Sequence, residues 1–232
     1  SFSNFTITDN KVELLQKGLP SFEKRIGQMQ MIDSVHQAFT GDKHALIEAG
    51  TGSGKTLGYL VPAISCSKRY QKSIVISTYT TQLQQQLLMN DLPKLVAMFD
   101  FQIKAVVLKG RDHYLNLAKF ERTLMGEEDN YDTTLTKMQI LVWLMETETG
   151  DFDELNLSGG GNIYWNKIKN TPIHFSQTSQ WDSRDFYFRA RKNAKEANLI
   201  ITNHSLLLTD LLSNEPFIPP YEYVVLDEVH HF

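Results

Sequence analysis

The chain has 232 residues, 41% hydrophobic and 22% charged, with a formal net charge of −4, which is an ordinary soluble globular composition for one large domain or one domain with an insertion. No apolar run approaches the roughly 20 residues of a membrane-spanning helix, and the acidic balance supplies no overall basic field, so a nucleic-acid partner has to be argued from motifs. A lone cysteine, Cys66, excludes an intrachain disulfide and any multi-cysteine metal site, which points to the reducing cytoplasm and away from the membrane.

In chain order, the first residues carry no signal-peptide pattern and no initiating Met, which suggests a piece excised from a longer polypeptide. Residues 28–39 are patterned as a helix. An apolar run, "HALIEA" from His44, reads as a strand, then comes a Gly-rich turn and a second helix over 56–67. Pro62 lies inside that helix and is expected to kink or shorten it. Further β-branched runs follow: "SIVIST" from Ser73, "IKAVVL" from Ile103, "NLIIT" from Asn198 and "YVVLD" from Tyr223, with a helix expected over 81–89. Near-continuous hydrophobicity marks strands buried on both faces of a parallel sheet. Alternation with helices then predicts a three-layer α/β fold.

The alternation fails for about 80 residues after Lys109, where a connection of ~2–6 is usual. That stretch holds the apolar helical segment "LTKMQILVWLM", acidic "ETETGDFDEL" and flexible "SGGGN". Trp143, Trp165 and Trp181 need packing partners, which favours an inserted helical subdomain over a disordered loop. The expected boundaries are 1–110 and 189–232 for the sheet domain and 111–188 for the insertion.

The sharpest chemical signal is "EAGTGSGKT", residues 48–56. Ala49 stands where the strict phosphate-loop pattern has Gly, but Gly50, Gly52 and Gly54 can adopt backbone angles closed to other residues. Successive N–H groups, Thr51 and Ser53 among them, can then turn inward around phosphate. The helix starting near Gly54 adds its positive dipole end. Lys55 would reach the β- and γ-phosphates and the Thr56 hydroxyl would ligand Mg²⁺. The plain alternative is a Gly-rich turn followed by a chance Lys-Thr. The second signal is "YVVLDEVHHF", in which a strand delivers Asp227 to hold Mg²⁺ and Glu228 to orient and deprotonate water. Its plain alternative is a polar strand end entering a turn.

Together "AGTGSGKT" and "DEVH" resemble motifs I and II of superfamily 2 helicases, DEVH being a variant of the DEAH box. "RIGQMQMIDSV" resembles the Q-motif, "ISTYTTQLQQQLL" motif Ia, and "LKGRDHYLNL" the "KGRxNYLC" stretch of the DinG/XPD branch of DNA helicases. "RARKNAKEANLIITNHSLL" and "ETGDFDEL" are also similar to that branch, so the resemblance covers nearly the whole chain. It implies a RecA-like P-loop domain with a central, mostly parallel sheet and an inserted, mainly helical subdomain. The implied activity is ATP hydrolysis coupled to movement on single-stranded DNA. The implied partners are ATP, Mg²⁺, single-stranded DNA, a second RecA-like domain of the same polypeptide and an upstream 3′–5′ exonuclease domain. The resemblance also implies that Arg25 and Gln28 hold adenine, that His230 couples the nucleotide site to its neighbours, and that Thr78, Thr80, Lys109, Arg111, Asn203 and His204 meet DNA. For each there is a bland counterpart: a solvated glutamine, strand-end caps, turn cations and an Asx-turn. "DFYFRAR" could stack bases or pack in a core.

One departure is chemical. Many members hold an iron–sulfur cluster after "KGR", but Asn116 stands at the first expected cysteine and Asp185 at the last. A cluster needs several thiolates, so the insertion is expected to be cluster-free. Outside this family, the same loop could serve a small-molecule phosphotransferase, or the acidic insertion a non-enzymatic interaction module. All the expected site residues other than Arg25 and Gln28 follow strands, so they are expected at one edge of the sheet.

Overall fold

The computed structural model describes residues 26–50, 52–99, 102–126, 130–157, 160–171, 184–214 and 216–231. Arg25, Thr51 and Trp181, named above, lie outside them. The elements run α1 (Ile26–Thr40), α2 (Lys55–Tyr70), β1 (Ile74–Thr78), α3 (Thr81–Gln86), a π-helical turn (Leu87–Asp91), α4 (Leu92–Phe99) and β2 (Ala105–Val107). They continue with α5 (Leu117–Leu124), α6 (Tyr131–Leu144), α7 (Gly161–Ile168), α8 (Phe186–Lys195), β3 (Leu199–Asn203), α9 (His204–Leu212) and β4 (Tyr223–Leu226). Two compact units result: Lys109–Asn193, and the remainder on either side of it. No described helix is long and apolar enough to cross a membrane.

The sheet is parallel throughout, in the order β2-β3-β1-β4. Its central strands are the apolar runs "IVIST" and "LIITN": Ile74, Val75, Ile76, Leu199, Ile200 and Ile201 have no exposed surface. That is what burial on both faces requires. The register aligns Thr78 with Asn203 and Ser77 with Leu226, so β1, β3 and β4 end at one edge. β4 pairs only with β1 in the sheet, and Val224 and Leu226 are correspondingly more exposed. Ile32, Val35 and Phe39 of α1 join Leu60 and Ile64 of α2 in the core. Gly58 permits the close approach of these helices, because a Cβ there would lie 2.6 Å from the Met31 sulfur.

Three expectations need correction. "HALIEA" forms no strand: residues 43–50 find no ladder partner among the described residues, and Leu46 is 92% exposed. An apolar run becomes a strand only where a neighbour accepts its backbone bonds. α2 is not shortened by Pro62 but continues to Tyr70, since every residue from 58 to 67 is buried and packing outweighs the helix penalty of about 3 kcal/mol. The helix over 81–89 departs from α geometry at Leu87, where a π-helical turn inserts.

The described part of residues 109–193 is mainly helical, with isolated bridges Tyr114↔Asp151 and Leu115↔Lys169. Trp165 is buried, 4.8 Å from Phe152 and 6.4 Å from Trp143 between ring centroids, and its Nε1 donates to the Asp112 carbonyl at 3.1 Å. Gly150 has φ 67°, and a Cβ there would meet the Phe186 ring at 2.1 Å; the chain turns at this point only because the residue is glycine.

Candidate functional site

Gly52 and Gly54 occupy the left-handed region at φ 72° and 80°, as a phosphate loop demands; Gly50 does not. Gly54 caps α2, so Lys55 and Thr56 sit on the first helical turn, at the positive end of the helix dipole. The Gln28 side chain is buried over this loop and donates Nε2 to the Gly54 carbonyl at 3.0 Å. A Cβ at Gly54 would stand 2.0 Å from that nitrogen. The glutamine assigned to adenine is thus built into the loop itself. Ser53 N donates to the Gly50 carbonyl at 3.3 Å, while the Ser53 hydroxyl is buried with no partner among the described residues. A buried polar atom left unpaired in a turn of this shape fits a ligand that brings its own oxygens. Ala49, at the loop entrance, is half-buried.

β4 carries the second half of the site. The Asp227 N–H donates to the Ser77 carbonyl at 2.9 Å, which extends the β1–β4 ladder by one residue and fixes where Asp227 begins. Its Oδ2 accepts from the Tyr59 hydroxyl at 3.0 Å. Tyr59 is 2% exposed and lies one helical turn beyond Thr56. Burial first, and then the Asp227 charge, push the phenol well above its usual value. The loop helix and the acidic strand end, 168 residues apart between Tyr59 and Asp227, therefore meet on one phenol. Glu228 adopts φ 56°, a region costly for a residue with a side chain and frequent at functional sites. The Thr56 hydroxyl and the Asp227 carboxylate are hard oxygen donors of the type Mg²⁺ takes. His230 lies exposed on the short helical turn Val229–His231.

The expected DNA contacts divide. Thr78 is fully buried and donates to the Thr80 carbonyl at 3.2 Å. His204 is 5% exposed, its Nδ1 2.7 Å from the Ser77 hydroxyl. Lys109 is buried in ion pairs with Asp151 and Asp153, the latter at 2.7 Å. At these three positions the side chain expected to meet DNA is instead enclosed and engaged inside the fold. Thr80 and Asn203 are helix caps, accepting from Leu83 N at 3.2 Å and Leu206 N at 2.7 Å. The Arg111 guanidinium stacks 4.3 Å from the Tyr187 ring centroid.

Asn116 caps α5 by accepting from Lys119 N at 2.9 Å. Asp185 accepts from Asn170 Nδ2 at 2.9 Å and from Phe188 N at 3.1 Å. Neither offers a thiolate, and the lone cysteine sits buried on α2, so these residues do not fit an iron–sulfur cluster.

Sequence analysis missed Tyr59, Ser77, Asp151 and Asp153. A signal existed for Tyr59, since the i, i+3 spacing from Thr56 puts both on one helix face. The acidic pair belongs to "ETGDFDEL", whose partner is the lysine of "LKGRDHY", 42 residues before Asp151.

The family model described as DEAD/DEAH box helicase matches residues 25–157. The chain is 48% identical over 218 residues to a "3'-5' exonuclease DinG" of Bacillus subtilis (strain 168), covering 94% of this chain and 23% of that protein. Against the protein of the same name from Staphylococcus haemolyticus (strain JCSC1435), identity is 32% over 203 residues, covering 88% and 22%. The chain thus spans less than a quarter of the length of these curated relatives.

Proposed function

The chain belongs to the DEAD/DEAH box helicase family, and from that premise we propose that it is the ATP-binding motor domain of a DinG-like DNA helicase or translocase that hydrolyses ATP on single-stranded DNA. The observation that carries this proposal is the 3.0 Å hydrogen bond from Tyr59 to Asp227, which ties the glycine-rich loop helix to the acidic strand end. In this assignment the backbone of residues 49–54 cradles the phosphates, with Arg25 and Thr51 completing the nucleotide set. Lys55 faces the β- and γ-phosphates, Thr56 and Asp227 hold Mg²⁺, and Glu228 orients water and accepts its proton. When bound, Mg²⁺ would supply charge neutralisation for the phosphate oxygens at the side chains of Thr56 and Asp227. His230 couples this site to its surroundings, and Thr80, Arg111 and Asn203 are the remaining candidates for the DNA path. Residues 1–110 and 189–232 make up the motor domain and 111–188 a cluster-free helical insertion, in a cytoplasmic protein.

In comparable NTPases an arginine finger contributes about 10³–10⁵ in rate. We assign that group to a second RecA-like domain of the full polypeptide, so residues 1–232 by themselves should bind Mg²⁺-ATP and turn it over slowly. The full-length protein tests the proposal. Single-stranded DNA should stimulate its ATPase, and Glu228→Gln should lower the rate by about 10²–10⁴-fold while nucleotide still binds. Unchanged hydrolysis in Glu228→Gln would refute it.

The name carried by the relatives favours one further possibility: a nucleotide-gating domain of a 3′–5′ exonuclease with little or no unwinding. Strand displacement on a tailed duplex and digestion of single strands, each with and without Lys55→Ala, separate the two. Unwinding lost in Lys55→Ala supports the motor, whereas nucleotide-dependent digestion without displacement supports the gate.

A further inference from the structure

We infer that Tyr59 is a positioning residue for the metal: its hydroxyl holds the Asp227 carboxylate in the arrangement from which it serves, together with Thr56 one turn earlier on the same helix, one divalent cation. The inference rests on the proposed nucleotide-hydrolysing function and adds to it a residue outside both motifs.

The direction of the hydrogen bond follows from donor counting. A phenol has one proton, and an ionised carboxylate only accepts, so the Tyr59 proton goes to Asp227 Oδ2, 3.0 Å away. The bond fixes Asp227 Oδ2 and sets the orientation of the carboxyl group about it, leaving the lone pairs of Oδ1 for a cation.

The anchoring is rigid at both ends. Tyr59 is 2% exposed, and every residue of α2 from 58 to 67 is buried. Asp227 is pinned through its N–H to Ser77 on β1, itself fully buried. Mg²⁺ demands near-octahedral geometry with little tolerance in distance. Hydrogen-bond partners that orient ligands are typically worth 10–100-fold in metal affinity. A buried hydroxyl bonded to such a ligand is placed to supply that effect. Were Tyr59 only filling space, phenylalanine would serve equally, and burying an extra hydroxyl would have no return.

The experiment uses the full-length polypeptide as wild type, Tyr59→Phe, Asp227→Asn and the double variant, with binding of a fluorescent ADP followed against Mg²⁺ concentration. Tyr59→Phe should raise the half-saturating Mg²⁺ concentration about tenfold or more, leave ADP binding in EDTA unchanged, and have no further effect in the Asp227→Asn background. A wild-type Mg²⁺ requirement in Tyr59→Phe, or an equal shift with and without Asp227, overturns the inference. Tyr59→Met, a second variant without the donor, should behave as Tyr59→Phe does. Loss of a cooperative thermal transition in both would make Tyr59 structural and also overturns it. Failure of the underlying function looks different, because the wild type itself would then bind ADP with no Mg²⁺ dependence.

Discussion

Among the described residues of the unit that holds the sheet, the buried polar side chains are mostly of uncharged type, Gln28, Ser65, Ser67, Ser77, Thr78, Gln84 and Thr202, with His204 and Asp210 the titratable exceptions. In residues 109–193 they include Lys109, Lys137, Asp151 and Asp185, beside Asn116, Thr136 and Asn170. A parallel sheet satisfies its backbone through its own ladders, so its interior can be Ile, Val and Leu. A small helical unit has many chain ends to satisfy and recruits side chains for the purpose. Lys137 donates to the Thr123 carbonyl, Lys119 to the Lys169 carbonyl at 3.0 Å, and Trp165 to the Asp112 carbonyl at 3.1 Å. One unit is held chiefly by apolar area, the other by apolar packing reinforced with buried polar pins.

The two can be followed separately, because all three tryptophans lie within 109–193 and the single cysteine lies on α2. Lys109→Ala should have the largest effect. It leaves the Asp151 and Asp153 carboxylates without their cation, and since Asp153 is one-third exposed the loss should be near the low end of the range for broken buried pairs, about 3 kcal/mol. Denaturation followed by tryptophan emission should register it, while protection of Cys66 from alkylation changes far less. Equal losses on both probes would mean that the contrast between the units has no energetic content.

Asn203→Ala should cost about 1 kcal/mol through the lost cap on α9, read as a lower denaturant midpoint for Cys66 exposure. A fall in single-stranded DNA affinity with no change in that midpoint would instead support the DNA-contact role. The smallest effect concerns pH. Burial pushes the Cys66 thiol up to about 11. A folded value above the unfolded one means that the unfolded chain ionises first, so this group subtracts stability as pH rises from about 8.5 towards 11 and contributes nothing below that window. Cys66→Ala should flatten the alkaline decline of the sheet unit, read as amide hydrogen exchange in β1 and β3, and leave the tryptophan transition unmoved.

Much of this was legible in local pattern. The runs at Ile74, Ala105, Leu199 and Tyr223 became strands because continuous β-branched hydrophobicity has few other uses. Gly52 and Gly54 bent as their spacing required. Thr80 and Asn203 behaved as caps, a role their residue types and strand-end positions allowed from the start.

What only the tertiary structure decided are the partnerships between distant residues. His204 could have faced a nucleic acid until Ser77, 127 residues away, closed on it. Lys109 was an ordinary turn cation until "GDFDEL" folded over it. "HALIEA" carries the composition of a strand yet lacks a ladder partner among the described residues. Tyr59 looked like core until Asp227 arrived at its hydroxyl. Periodicity and motif spacing are properties of a short stretch of backbone and can be read in line. Burial, charge pairing and the direction of a hydrogen bond depend on which remote segment supplies the other atom, and chain topology alone settles that.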